Sequence, residues 1–178
     1  MPYSIATSNV GFITALNEAG AYAGGYLVTN EWGRPLEFRV SSRVSPTRVQ
    51  RILYGETLEP YVLADLIGRN LINKTVTPVS WVLTDQPSFL DLRAEIDFPL
   101  AWVTKSEAPR QGSSTLSRVT HFGNQFVFCR EDFSADMACL QSYLDCRRFD
   151  LVEPFERIIG AIQESERLGT LGAAGVTA

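Results

Sequence analysis

One run of strict alternation constrains this chain more than any other feature. In "RPLEFRV", Arg34 to Val40, the apolar Leu36, Phe38 and Val40 alternate with Pro35, Glu37 and Arg39. A period of two fits a strand that buries one face and wets the other. The preceding "NEWG", Asn30 to Gly33, supplies the residues of a short hairpin turn, and "YLVT" before it supplies the partner strand. Pro35 cannot donate to a ladder, so this strand belongs at a sheet edge. With "NVGFITALN" upstream as a further strand and "NEAGAYAGG" as the intervening loop, the N-terminal part is expected to be an antiparallel meander.

Helical and strand-like segments then follow one another. "SPTRVQRILY" is expected to be a helix with Ser45 as N-cap and Pro46 in its first turn. "TLEPYVLADLIGRNLI" is apolar on nearly every side, as a buried helix is. "TPVSWVLTD" and "FPLAWVT" suit strands on either side of a short helix, "PSFLDLRAEI". Lys105–Arg118 has the Pro, Gly and Ser content of a surface loop. "FGNQFVFC" is the last strand candidate, before helices in "DFSADMACLQSYLDC" and "EPFERIIGAIQESERL". The fold class expected is α+β: a mixed, largely antiparallel sheet led by the N-terminal meander, with helices packed mainly on one face. Residues 1–167 are expected to form a single globular domain and 168–178 a flexible tail.

Composition supports a packed interior, with 45% hydrophobic and 20% charged residues. No stretch has the ~18 consecutive apolar residues of a membrane span, and the N-terminus lacks the basic start and apolar run of a secretory signal. Three cysteines without tight spacing argue for a reducing compartment. A cytoplasmic location without membrane association is expected.

Several chemistries lack their residues. There is no Gly-x-x-x-x-Gly-Lys-Ser/Thr loop, and the glycines of "GTLGAAG" follow the last helix instead of joining a strand to a helix. No Gly-x-Ser-x-Gly elbow is present. His121, Cys129, Cys139 and Cys146 could compose a zinc set, but their spacing has no Cys-x-x-Cys knuckle. Small buried cysteines are the ordinary reading. Asp85 at a strand end, with Asp91 and Glu95 one helical turn apart, is the carboxylate set a metal-dependent hydrolase or nuclease would use; the ordinary reading is turn and cap chemistry for Asp85 and a solvated helix face for Asp91, Arg93 and Glu95. Asp65 and Arg69, four apart on the apolar helix, are expected to pair with each other or to touch another partner. No catalytic set, cofactor or metal is assigned.

Binding features are clearer. Trp32, with Arg34 beside it, stands at the hairpin tip, where an exposed aromatic can anchor a partner. The segment 39–54 carries Arg39, Arg43, Arg48 and Arg51 and no acid. Arg48 and Arg51 would share a helix face with Tyr54 near it, a set suited to nucleic-acid phosphates and a stacked base. Val49, Ile52 and Leu53 would then bury the opposite side. On the helix after Asp132, the stripe Phe133, Met137, Leu140 and Leu144 should face the core. Ala135, Ala138, Cys139, Ser142 and Cys146 leave the other side small enough for a second element to cover. The function expected is a non-catalytic cytosolic interaction subunit of a homo- or hetero-oligomer, docking through the hairpin tip. An RNA- or DNA-binding module using segment 39–54 is the first alternative, and the metal-dependent hydrolase or nuclease the second.

Overall fold

The structure, a computed structural model, describes residues 8–105, 116–121, 124–145 and 150–169. Seven strands form one mixed sheet: β1 (Val10–Glu18), β2 (Ala21–Thr29), β3 (Pro35–Val40), β4 (Trp81–Thr84), β5 (Leu100–Thr104), β6 (Leu116–His121) and β7 (Gln125–Arg130). Their order is β3-β2-β1-β4-β5-β7-β6. β1–β4 and β4–β5 pair parallel, and the other four neighbours pair antiparallel. The α+β class, the mixed and largely antiparallel sheet and its leading meander all follow the sequence expectation, and Pro35 does lie on an edge strand.

The meander differs from expectation at its first turn. Residues 17–25, expected as a loop, are mostly strand: only Ala19 and Gly20 are left between β1 and β2, both with positive φ (51° and 79°). That is the two-residue turn whose twist matches a hairpin. Gly24 and Gly25 read as loop residues, yet they sit mid-strand because helices crowd both faces of β2. A Cβ on Gly24 would stand 2.2 Å from Ile67 Cγ2, and one on Gly25 2.4 Å from Ile158 Cγ2.

Strand alternation sends side chains into two cores. One contains Ile13, Tyr26, Val82, Trp102 and Phe128, and is covered by most of the helical elements. These are α1 (Arg48–Tyr54), α2 (Leu58–Pro60), the π-helical run Tyr61–Gly68, α3 (Arg69–Lys74) and a 3₁₀ run, Pro87–Ala94. The other contains Phe12, Leu27, Trp81, Leu83 and Val127 beneath α4 (Ser134–Asp145) and α5 (Glu153–Arg167). The central strands are therefore buried on both sides, which is why β1 and β2 read as nearly continuous apolar runs.

Local chemistry corrects several other expectations. The α1 N-cap is Thr47, not Ser45: its hydroxyl accepts from Gln50 N–H while the Gln50 side chain accepts from Thr47 N–H, a capping box. Arg69 pairs with Glu95 across to the 3₁₀ segment, not with Asp65. Leu116–Arg118, placed in a surface loop by their neighbours' composition, begin β6. Glu37 does not face water. It is 2% exposed, accepting from the backbone N–H of Thr77 at 2.8 Å and from Arg39 Nε at 2.8 Å, and the Val76 N–H points at it as well. On α4, Leu140 and Leu144 are buried and Met137 packs on the core as expected, while Ala135, Ala138 and Ser142 stay open to solvent. Among the described residues, no helix is long and apolar enough to cross a membrane.

Candidate interaction surface

The seven residues of α1 are oriented against their hydropathy. The helix is fixed at its start by the Thr47–Gln50 box, and Gly55, with φ 53°, breaks it at its end. Arg51 reaches back to donate to the Gly20 carbonyl at 2.8 Å, in the β1–β2 turn. Tyr54 stacks on Tyr61, ring centroids 4.6 Å apart. These contacts hold the Gln50, Arg51 and Tyr54 side of α1 on the body of the protein. The aliphatic side faces out: Val49 is 64% exposed, Ile52 71% and Leu53 76%. Positions i, i+3 and i+4 share one helix face, so the three form a continuous apolar stripe. The expectation that these residues bury against the core is thus reversed.

A cleft of about 210 Å³ lies at the foot of α1, lined by Val44, Pro46, Leu58, Tyr61, Val62 and Leu66 among others. The cleft borders α1 on its Gln50 side, and the stripe lies on the helix's outer side. Scattered exposed aliphatics are ordinary on any protein; a contiguous set on one helix face marks a contact surface. Full burial of each would contribute about 1.5–3 kcal/mol relative to exposure. This orientation is not legible locally, because an Arg48/Arg51 face opposite a Val/Ile/Leu face is also what a half-buried helix shows. The deciding partners, the Gly20 carbonyl and the Tyr61 ring, are remote or lie on another element.

The hairpin tip is a separate feature. Asn30 Oδ1 accepts from the N–H groups of Trp32 and Arg34, both at 3.0 Å, and Arg157 of α5 donates to the Gly33 carbonyl at 2.9 Å. The turn is held firmly, and Trp32 projects from it 82% exposed, with Arg34 exposed alongside. α1 lies near the start of β2, where Tyr22 pairs with Val44, and Trp32 lies beyond the end of that nine-residue strand. At ~3.3 Å per residue the two sites stand about 25 Å apart, at opposite ends of the sheet. Trp32 and Arg34 therefore do not join Arg48, Arg51 and Tyr54 in one surface.

The four arginines of segment 39–54 are also dispersed. Arg39 pairs with Glu37, Arg43 with both Glu18 and Glu166, and Arg51 holds Gly20. Arg48 is exposed, with no hydrogen bond or ion pair among the described residues. One ring face of Tyr54 is taken by Tyr61.

The carboxylates proposed for a metal are not brought together. Asp91 pairs with Arg130 and Glu95 with Arg69, while Asp85 lies at the C-terminal end of β4. Among the described residues no three His, Cys, Asp or Glu side chains converge as metal ligands do. Cys129 is buried in β7, where burial pushes its thiol up to about 12; Cys139 lies on α4, and Cys146 is outside the described residues. His121 lies on β6. Burial raises the Asp85 carboxyl above the usual carboxylate range, with the adjacent Thr14 hydroxyl acting weakly in the other direction. Asp85 Oδ1, Thr14 Oγ1 and Gln86 Oε1 are buried and lack a well-formed hydrogen bond among the described residues.

Fold and surface together define a three-layered α+β protein with an outward-turned apolar helix at one end and a rigid tryptophan tip at the other. The chain matches no family model and no curated protein.

Proposed function

We propose that this protein is a non-catalytic interaction subunit of an oligomeric assembly, and that it docks through the exposed face of α1. The observation that carries this reading is the Val49/Ile52/Leu53 stripe, held outward by contacts that use the polar and aromatic side of the same helix. A helix presented in this way resembles the apolar face that amphipathic helices lay into a partner's groove. Trp32 serves as a second anchor at the far end of β2, where its tight turn limits the ordering cost of binding. A cytoplasmic setting suits the cysteines, with Cys129 and Cys139 both unpaired.

The test is a chain carrying Val49→Ser, Ile52→Ser and Leu53→Ser together, compared with wild type by native mass spectrometry and cross-linking in extracts of the source cell. All three sites are exposed, so the variant should fold with unchanged circular dichroism and lose its associations. Associations that persist undiminished in the triple variant would refute the α1 assignment. Trp32→Ala, tested in parallel, should weaken a different contact from the one lost with α1.

A further inference from the structure

We propose that the open edge of β3 pairs with the same edge of a second copy of this chain, antiparallel about a two-fold axis at Phe38, so that one sheet runs through both copies. This goes beyond the reading of α1 as a docking surface and does not use that helix.

The hydrogen bonds along β2 show which way the β3 backbone faces. Tyr22 exchanges both backbone bonds with Val44, at 2.8 and 2.7 Å, and the Gly24 carbonyl accepts from the Ser41 N–H at 2.8 Å. Bonded pairs alternate with unbonded ones along an antiparallel ladder. In the register these strands keep, Tyr26 therefore bonds Arg39 and Val28 bonds Glu37. Phe38 and Val40 turn their N–H and C=O groups to the open side. Neither makes a bond outside the ladder among the described residues, and both are only half-buried. Unpaired donors and acceptors along an edge are a template for another strand.

Symmetry and charge select the occupant and its register. An interface closed by a two-fold axis uses the same patch on both subunits, so that patch must complement itself. An axis at Arg39 would set that guanidinium directly against its own copy, and one at Val40 would set it against Ser41, past the end of the strand. An axis at Phe38 lets the two Phe38 residues exchange N–H···O=C bonds and sets Glu37 of each copy opposite Arg39 of the other. Opposite charges facing each other across a strand pair stabilise it, and like charges oppose it. Glu37 and Arg39 are held together within each chain at 2.7 Å, so the charge pattern exists before the copies meet. Pro35, without an N–H, and the irregularity at Val28/Thr29 close off the start of the strand. The edge thus admits a short pairing in this register and resists longer, less specific ones. Such a dimer should be weak, with a dissociation constant on the order of micromolar, and should respond to dilution.

Sedimentation velocity and amide hydrogen exchange on the full chain, each across roughly a hundredfold range of concentration, test this. Wild type should pass from monomer to dimer as concentration rises. Over the same range, exchange at the Phe38 and Val40 amides should slow by about tenfold or more, while Arg39, bonded to β2 in either state, should not change. In a dimer mixed from isotope-labelled and unlabelled chains, the Glu37 Hα should show a nuclear Overhauser contact to the Arg39 Hα of the other copy. Val40→Pro removes an edge donor, and should be folded by circular dichroism and monomeric throughout; wild-type exchange decides the matter if that variant does not fold. A wild-type chain that is monomeric at every concentration would overturn the inference, as would a dimer whose Phe38 and Val40 amides exchange as fast as in the monomer. The triple serine variant of α1 separates the two readings. If it dimerises like wild type and loses a partner in extracts, both stand; if it dimerises and loses no partner, only the α1 reading fails. If it loses the dimer itself, α1 joins the copies and the β3 inference fails.

Discussion

Glu37 is a carboxylate enclosed by its own fold, and its position is sensitive to pH. Burial alone would raise its pKa, but donors from Thr77, Arg39 and Val76 outweigh that and hold it below the ordinary carboxylate range. A folded-state pKa below the unfolded one gives stability that is complete above the unfolded value and is lost as pH falls through the folded one. Glu37→Gln should therefore lower the denaturation midpoint at neutral pH and narrow the gap to wild type in acid, as urea titrations across pH would show. The alternation of "RPLEFRV" correctly gave the strand and its edge position. It could not give the burial of Glu37, because the Val76–Thr77 backbone that covers this face arrives from about forty residues downstream. Trp32 was legible for the opposite reason: its turn is built by Asn30, two residues away.

At the level of elements, β2 shows how composition can mislead. "AYAGG" has the small residues of a loop, and nothing local reveals that Ile67 and Ile158 press on it from either side. Glycine serves here for closeness of approach, not for turn geometry. Gly25→Ala should cost about 1–3 kcal/mol by overpacking. In an Ile158→Ala background the same change should cost far less, a coupling that a double-mutant cycle by chemical denaturation would measure. α1 is the complementary case. Its existence and extent follow from Thr47, Gln50 and Gly55, all local, whereas its orientation depends on Gly20 and Tyr61. Helical periodicity states which residues share a face; it does not state which face looks inward.

For the molecule as a whole, a buried ion pair ties the two helical layers together. Arg93, from the 3₁₀ run on one face, donates Nε–H and Nη2–H to Asp136 of α4 on the other, at 2.6 and 3.0 Å, and Nη1–H to the Ile96 carbonyl at 2.9 Å. Its guanidinium also lies over the Phe133 ring, 4.2 Å from the centroid. Removing Asp136 leaves the buried Arg93 guanidinium without its carboxylate, so Asp136→Ala should cost about 3–5 kcal/mol in equilibrium denaturation. The paired replacement Arg93→Met with Asp136→Leu should recover much of that loss. The sequence alone places Arg93 on a surface face beside Asp91 and Glu95 and gives Asp136 no role, since a contact 43 residues apart between opposite layers leaves no local trace. The strand order beyond the meander was hidden for the same reason. The π-helical stretch from Tyr61 to Gly68 has its own consequence for the helix beyond it. An α-helix advances about 100° around its axis per residue and the wider i→i+5 turn advances less, so rewinding this stretch as regular α-helix at the same length would rotate Leu71 and Ile72 away from the interior they now fill. The widened winding thus sets the phase between the two ends of this helical segment, so that Val62, Leu63 and Ile67 within it and Leu71 and Ile72 after it reach the same interior.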